Sequence, residues 1–179
     1  MKKIKDRVLL GVLVGVFSAI VGRLLNTFEY RAGLTDAKYD NMAANLFVDK
    51  RQIGTPEGRT IGAVVNAVLT GVAGISIVYL LSMTGRDKPV LKGMGIGILF
   101  WLALFGLTPR VGIVERFKKP LSPLLGLVDH LIFGGLCGWI VSKFGDSTLF
   151  PDVGQKNVKR KLPLFSYAKK PGTRGNTIK

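Results

Sequence analysis

Residues 124–144, LLGLVDHLIFGGLCGWIVSKF, decide how this chain is read. The run is apolar and about as long as the roughly 20 residues that cross a hydrocarbon core of about 30 Å. In its middle stand Asp129 and His130, the latter the only histidine of the chain. An acid and an imidazole inside a membrane helix face other helices and pair there, because lipid solvates neither. The partners must come from elsewhere in the sequence.

Three more runs of membrane length are present, Val8–Phe28, Ile61–Met83 and Val90–Thr108. The fold class expected is all-α: a four-helix transmembrane bundle with helices at about 8–28, 61–83, 90–108 and 124–144. The third run has Lys92 near its start and Pro109 and Arg110 just after its end, so a re-entrant or kinked segment is the alternative for it. Residues 1–145 form the transmembrane domain in this reading, and 146–179 a basic tail.

The formal charge of +15 suits a nucleic-acid binder, but a soluble binder would not carry such runs in a chain that is 47% hydrophobic. The single cysteine, Cys137, excludes an intrachain disulfide and a Cys-rich metal site, and reads as a small apolar filler. The opening MKKIKDR raises the question of a signal peptide. SAIVGRLLNTF offers no clear A-x-A cleavage site and Arg23 interrupts the run, so an uncleaved helix is expected.

The first loop, Glu29 to Thr60, is more than a linker. In TDAKYDNMAANLF, the residues Tyr39, Met42, Ala43, Leu46 and Phe47 recur at helical spacing, with polar residues on the other face. The pattern predicts a short amphipathic helix over about Asp36–Val48, capped by Thr35, on the membrane surface or across the bundle mouth. The tail after Gly145 is polar and broken by Pro151, Pro163 and Pro171. It is too poor in apolar surface to offset its ordering entropy and is expected to be mostly disordered. Its bases Lys156, Lys159, Arg160, Lys161, Lys169 and Lys170 suit anionic lipid headgroups. Nucleic acid is the weaker candidate partner, because only Phe165 and Tyr167 could stack and no binding module is recognisable.

Sixteen Lys and Arg fall on the side of the termini and the second loop, against nine in the first and third loops. That excess predicts a plasma-membrane protein with both termini cytoplasmic. Close packing must hold such helices together, since lipid offers no hydrophobic drive between them. The small residues spaced by four supply it: Gly11 and Gly15, Ser18 and Gly22, Gly93 and Gly97, Gly134 and Gly138.

With this topology Arg23 lies five residues before the end of the first helix and Asn66 five into the second, while Asp129 and His130 lie five and six into the fourth. At about 1.5 Å per residue they share one depth, roughly 7–9 Å from the outer edge. One polar layer is therefore expected, with Arg23 paired to Asp129 and Asn66 and His130 nearby. Adjacent helix positions point about 100° apart, so Asp129 and His130 need not share a partner. Ser122 is a candidate cap for the fourth helix and Pro123 suits its first turn. The alternatives for the layer are an ion pair that sets register, a polar path for protons or ions, and a histidine without coupling.

No G-x-S-x-G, H-E-x-x-H or Walker A pattern occurs. GMGIG lies inside a membrane helix with no strand before it, so it is no nucleotide loop. The helices lack ligands for a metal site, and neither an enzyme nor a cofactor is expected.

LLNTFEYRAGLTDAKYDNMAANLF and YLLSMTGRDKPVLKGMGIGILFWLALFGL resemble a loosely defined group of small uncharacterised multi-pass membrane proteins from Gram-positive, often spore-forming bacteria. The resemblance covers about a third of the chain and implies class and compartment, with no activity to carry over. Two functions stay open. One is a non-enzymatic accessory or scaffold protein that meets a membrane-protein partner or a second copy of itself. The other is a small oligomeric transport or ion-conducting protein that uses the polar layer.

Overall fold

The computed structural model describes residues 3–114 and 116–151. Among them the chain is all-α. Four helices are long and apolar enough to cross a membrane: α1 (Arg7–Arg31), α3 (Pro56–Thr84), a third span over Pro89–Arg110, and α6 (Leu121–Phe144). Between α1 and α3 lies the short α2 (Tyr39–Ala44). The third span is composite: α4 (Pro89–Trp101), a π-helical turn (Leu102–Leu107) and a last turn, α5 (Thr108–Arg110).

The start signals are local. Asp6 accepts from the Leu9 N–H at 2.7 Å and caps α1. Thr55 accepts from the Gly58 N–H at 3.1 Å, and Pro56 and Glu57 fill the first turn of α3. Gly85, at φ 87°, ends that helix in a conformation that a side chain would oppose. In the third span Pro109 has no N–H to return to the carbonyl of Phe105. The ladder widens to a π turn just before it, and the Thr108 hydroxyl donates to the Leu104 carbonyl at 2.5 Å. Of the two readings for this run, the structure shows a helix that continues to Arg110 through a wide turn.

The helices stand in a ring in the order α1, α3, α4, α6, as two tight antiparallel pairs, α1 with α3 and α4 with α6. Small residues line the seams and large ones face outward. On α1 the buried positions Leu10, Gly11, Val14, Gly15, Ser18 and Ala19 follow the helical repeat. Phe17 and Leu24 of the same helix are 63% and 67% exposed, which is how a helix in lipid divides its faces.

Gly93 and Gly134 face each other: a Cβ on either would lie under 3.0 Å from the other's carbonyl oxygen. Gly97 meets the His130 carbonyl and Gly138 that of Pro89. Gly15 meets the Thr70 carbonyl and Gly11 the backbone of Ile75. Gly22 differs, because a Cβ there would meet nothing within 4 Å. The spacing-four pair Ser18 and Gly22 is thus no close-packing seam at its second member.

The end that holds residues 3–6 and 145–150 is filled mainly with apolar side chains, with Arg7 and Ser82 hydrogen-bonded beside them. Leu10, Ile77, Val78, Leu81, Cys137 and Val141 are fully buried there. The segment after α6 joins them. Asp146 accepts from the Thr148 N–H, Ser147–Leu149 forms a 3-10 turn, and Leu149 and Phe150 are fully buried. The Ile4 N–H donates to the Phe144 carbonyl at 3.0 Å and the Asp146 N–H to that of Ile4, also at 3.0 Å. Packed structure thus continues past residue 145 through Leu149 and Phe150. Apolar burial outweighs the polar composition around these two residues. The tail bases Lys156, Lys159, Arg160, Lys161, Lys169 and Lys170 lie outside the described residues.

Candidate functional site

At the opposite end, where the first and third loops meet, the bundle encloses a partly open cavity of about 90 Å³. Arg23, Asn66, Asp129 and His130 all line it. The structure thus brings together residues from three helices that shared only a depth in the sequence. Their pairing differs from the expected one.

The loop segment before α2 is docked by Asn26, one turn beyond Arg23 on α1. Its Nδ2 donates to the Ala37 carbonyl at 2.8 Å and its Oδ1 accepts from the Tyr39 N–H at 3.0 Å. That two-point grip holds residues 37–39 against α1, which stops helix formation before Tyr39. The helix expected over Asp36–Val48 is therefore only Tyr39–Ala44. Thr35 caps a turn instead, accepting from the Ala37 N–H. Gly62 of α3 allows α2 to approach: a Cβ there would collide with the Asp40 carbonyl. Of the predicted stripe, Tyr39, Met42, Ala43 and Leu46 line the cavity, whereas Phe47 lies past the end of α2 and is 71% exposed.

Docked this way, α2 supplies the partners that the bundle helices do not give one another. Arg23 Nη2 lies 2.8 Å from Asp40 Oδ2, and Asn66 Nδ2 donates weakly to Asp40 Oδ1 at 3.4 Å. The Tyr39 hydroxyl donates to Asp129 Oδ2 at 2.6 Å. The Arg23–Asp129 pair expected from depth alone is thus replaced by two pairs, each with one member on α2. The physical reason is that depth fixes only one coordinate. A helix added across the mouth reached both groups first.

Asp129 is 2% exposed, and no cation pairs with it among the described residues. Glu29 of α1 has a buried Oε2 without a hydrogen-bond partner. Burial first, then the adjacent Asp129 and Glu29 carboxylates, push the Tyr39 hydroxyl well above its ordinary value. Tyr39 therefore stays protonated and serves as the donor.

His130 turns away from Asp129. Its Nδ1 lies 2.7 Å from the Gly126 carbonyl, which can only accept, so Nδ1 carries a proton, and in the neutral ring Nε2 is the acceptor. The ring stands edge-on to Tyr39 at 6.0 Å and to Phe105 at 5.6 Å between centroids. Tyr39 and Phe105 are also edge-on at 6.1 Å, so three rings form a corner of mutually perpendicular faces. Phe105 sits in the π turn, which carries it into the bundle.

A second latch joins the two loops outside the cavity. Ser122 does not cap α6, which starts after Pro120 without a side-chain cap. Its hydroxyl donates to Asp36 Oδ1 and accepts from the Asp36 N–H, and the Lys118 N–H donates to Asp36 Oδ2 at 2.6 Å. Burial pushes the Asp36 carboxyl up, but these bonds outweigh it and hold it below its ordinary value.

Sequence reasoning placed Tyr39 and Asp40 on a helix at the bundle mouth but gave no pairing role to Asn26, Asp36, Tyr39 or Asp40, and no place at this end to Phe105. A signal existed for Asn26, a polar residue three positions after Arg23 and so on nearly the same face. The described residues hold no group of three or more His, Cys, Asp or Glu placed to bind a metal. Comparison of the chain with protein-family models, with curated proteins and with solved structures gives no match.

Proposed function

We propose that this chain is a non-enzymatic accessory or scaffold protein of the plasma membrane, with both termini in the cytoplasm. The observation that carries the reading is the contrast along the bundle axis. The cavity ends against Phe133 and Ala73, and beyond them Leu10, Ile77, Leu81, Cys137 and Val141 fill the interior. Among the described residues no carboxylate or imidazole lies in that plug, where the Ser18 hydroxyl is the buried polar group and Arg7 with Ser82 is buried beyond it, and this break in the ionisable groups speaks against conduction by one chain. The excess of Lys and Arg on the side of the termini supports the orientation. The bases from Lys156 to Lys170 would hold that side to anionic headgroups and leave the capped end for a membrane-protein partner or a second copy.

The second reading, transport or ion conduction by an oligomer, draws on one observation: an acid and an imidazole line a cavity open at one end. Two measurements separate them. Proteoliposomes should show no proton or cation flux above empty vesicles, and affinity purification from native membranes should retain a stoichiometric membrane protein. Specific flux would overturn the first reading. For orientation, a Gly54→Cys variant in a Cys137→Ala background should label from outside intact cells, and a Lys3→Cys variant should not. Reversal of that pattern would refute it.

A further inference from the structure

The cavity has three features that a void left by imperfect packing would lack. First, its space is kept open by Gly22, a buried glycine with no neighbour within 4 Å of a built Cβ, although the other glycines of the α1 seam are in contact. Second, its wall is built from a π turn, a wide helical turn often found at functional sites. Third, its polar lining is unbalanced. Arg23 is already paired with Asp40 and half-exposed at the mouth, whereas the deep acid, Asp129, has only a neutral hydroxyl as partner.

A buried carboxylate without a counter-charge is costly, and a bound cation would relieve it. The surroundings specify which kind. A metal ion finds too few ligands here. Aromatic rings attract organic cations, and Tyr39, Phe105 and His130 line this cavity together, packed edge to face, with Phe105 also stacked on Phe117. Asp129 Oδ1 accepts no hydrogen bond among the described residues, and His130 Nε2 is an acceptor, so two sites await N–H donors. An alkylammonium offers three. Since a cavity of about 150 Å³ takes benzene, the 90 Å³ here suits about three or four heavy atoms.

The geometry points to this cavity as a binding site for a small alkylammonium group, held by the Asp129 carboxylate against the rings of Tyr39, Phe105 and His130. Such a group comes either as a free amine or as the ethanolamine end of a phospholipid, whose phosphate would then reach Arg23 at the mouth.

The test is calorimetric titration of the full-length protein in detergent with n-propylammonium and with its neutral analogue n-propanol. Saturable binding of the first and none of the second is expected. Asp129→Asn keeps an acceptor for Tyr39 but removes the charge, and should weaken binding by more than about tenfold. Phe105→Leu should weaken it about two- to fivefold. Gly22→Leu fills the cavity without touching the acid and should abolish binding while the fold is kept, so the test survives if the Asp129 variant does not fold. Native mass spectrometry with lysophosphatidylethanolamine against lysophosphatidylglycerol then identifies the source. Selective retention of the ethanolamine lipid, lost in Asp129→Asn, assigns the headgroup; propylammonium binding without it assigns a free amine. Equal binding of propanol, undiminished binding in Gly22→Leu, or no binding of either amine overturns the proposal.

Discussion

The two ends of this bundle use the same residue types for opposite purposes. Near the termini, Gly93 and Gly134 bring two backbones into contact, and Phe150 is driven into the core. At the loop end, Gly22 leaves space open, and Phe47 is left outside. The terminal end is stabilised mainly by apolar packing. The loop end is held by a few polar contacts from a short helix laid across it. A small residue in a membrane helix thus signals either a seam or a void, and only the neighbour on the facing helix distinguishes the two.

If that contrast is right, damage should be greatest near the termini. Phe150→Ala removes a fully buried ring and should lower stability by about 3–5 kcal/mol, read as a large fall in thermal midpoint in detergent. A midpoint close to that of the parent would mean that the end is not the packed core described here.

Next in size is a pair of glycine changes. Gly134→Val forces a side chain into the Gly93 carbonyl and should cost about 1–3 kcal/mol or more. Gly22→Ala meets nothing and should stabilise by about 0.5–1 kcal/mol through helix propensity alone. Equal effects at both sites would erase the distinction between seam and void.

At the loop end, Tyr39→Phe leaves Asp129 without its donor and should cost about 1–3 kcal/mol. The Arg23–Asp40 pair is half-exposed, and a double-mutant cycle should give about 0–1 kcal/mol. The same cycle between Arg23 and Asp129 should give no coupling, and a large value there would restore the pair expected from depth.

The effect confined to acid conditions is a pH dependence. Asp36 sits below its ordinary value when folded, so its contribution is present above the unfolded value and fades as pH falls through the folded one. Asp36→Asn should flatten the acid side of a stability profile while changing its neutral side by less than about 1.5 kcal/mol. An acid limb identical to the parent's would remove Asp36 from the latch.

Much of this could be read from the chain. The four spans follow from length and hydropathy, and the polar layer follows from counting residues along helices of known rise. The stripe from Tyr39 marked α2, although the helix proved shorter, because Asn26 takes the backbone of Ala37 and Tyr39. The pairing within the layer was not legible. Rise gives depth, but the azimuth of each side chain depends on how helices are rotated against one another. The site of Phe105 was hidden too, since the π turn that places it arises from Pro109 meeting the rest of the third span.

The sequence by itself determined the class, the number of spans and the level at which polar groups gather. Those depend on terms that sum along one chain: apolar area, helical rise and the cost of a charge in lipid. The tertiary structure alone decided that Asp129 pairs with a tyrosine, that Arg23 pairs with Asp40, and that Gly22 opens a cavity. Those depend on which atoms meet across helices, and contact between surfaces is not a sum over either one.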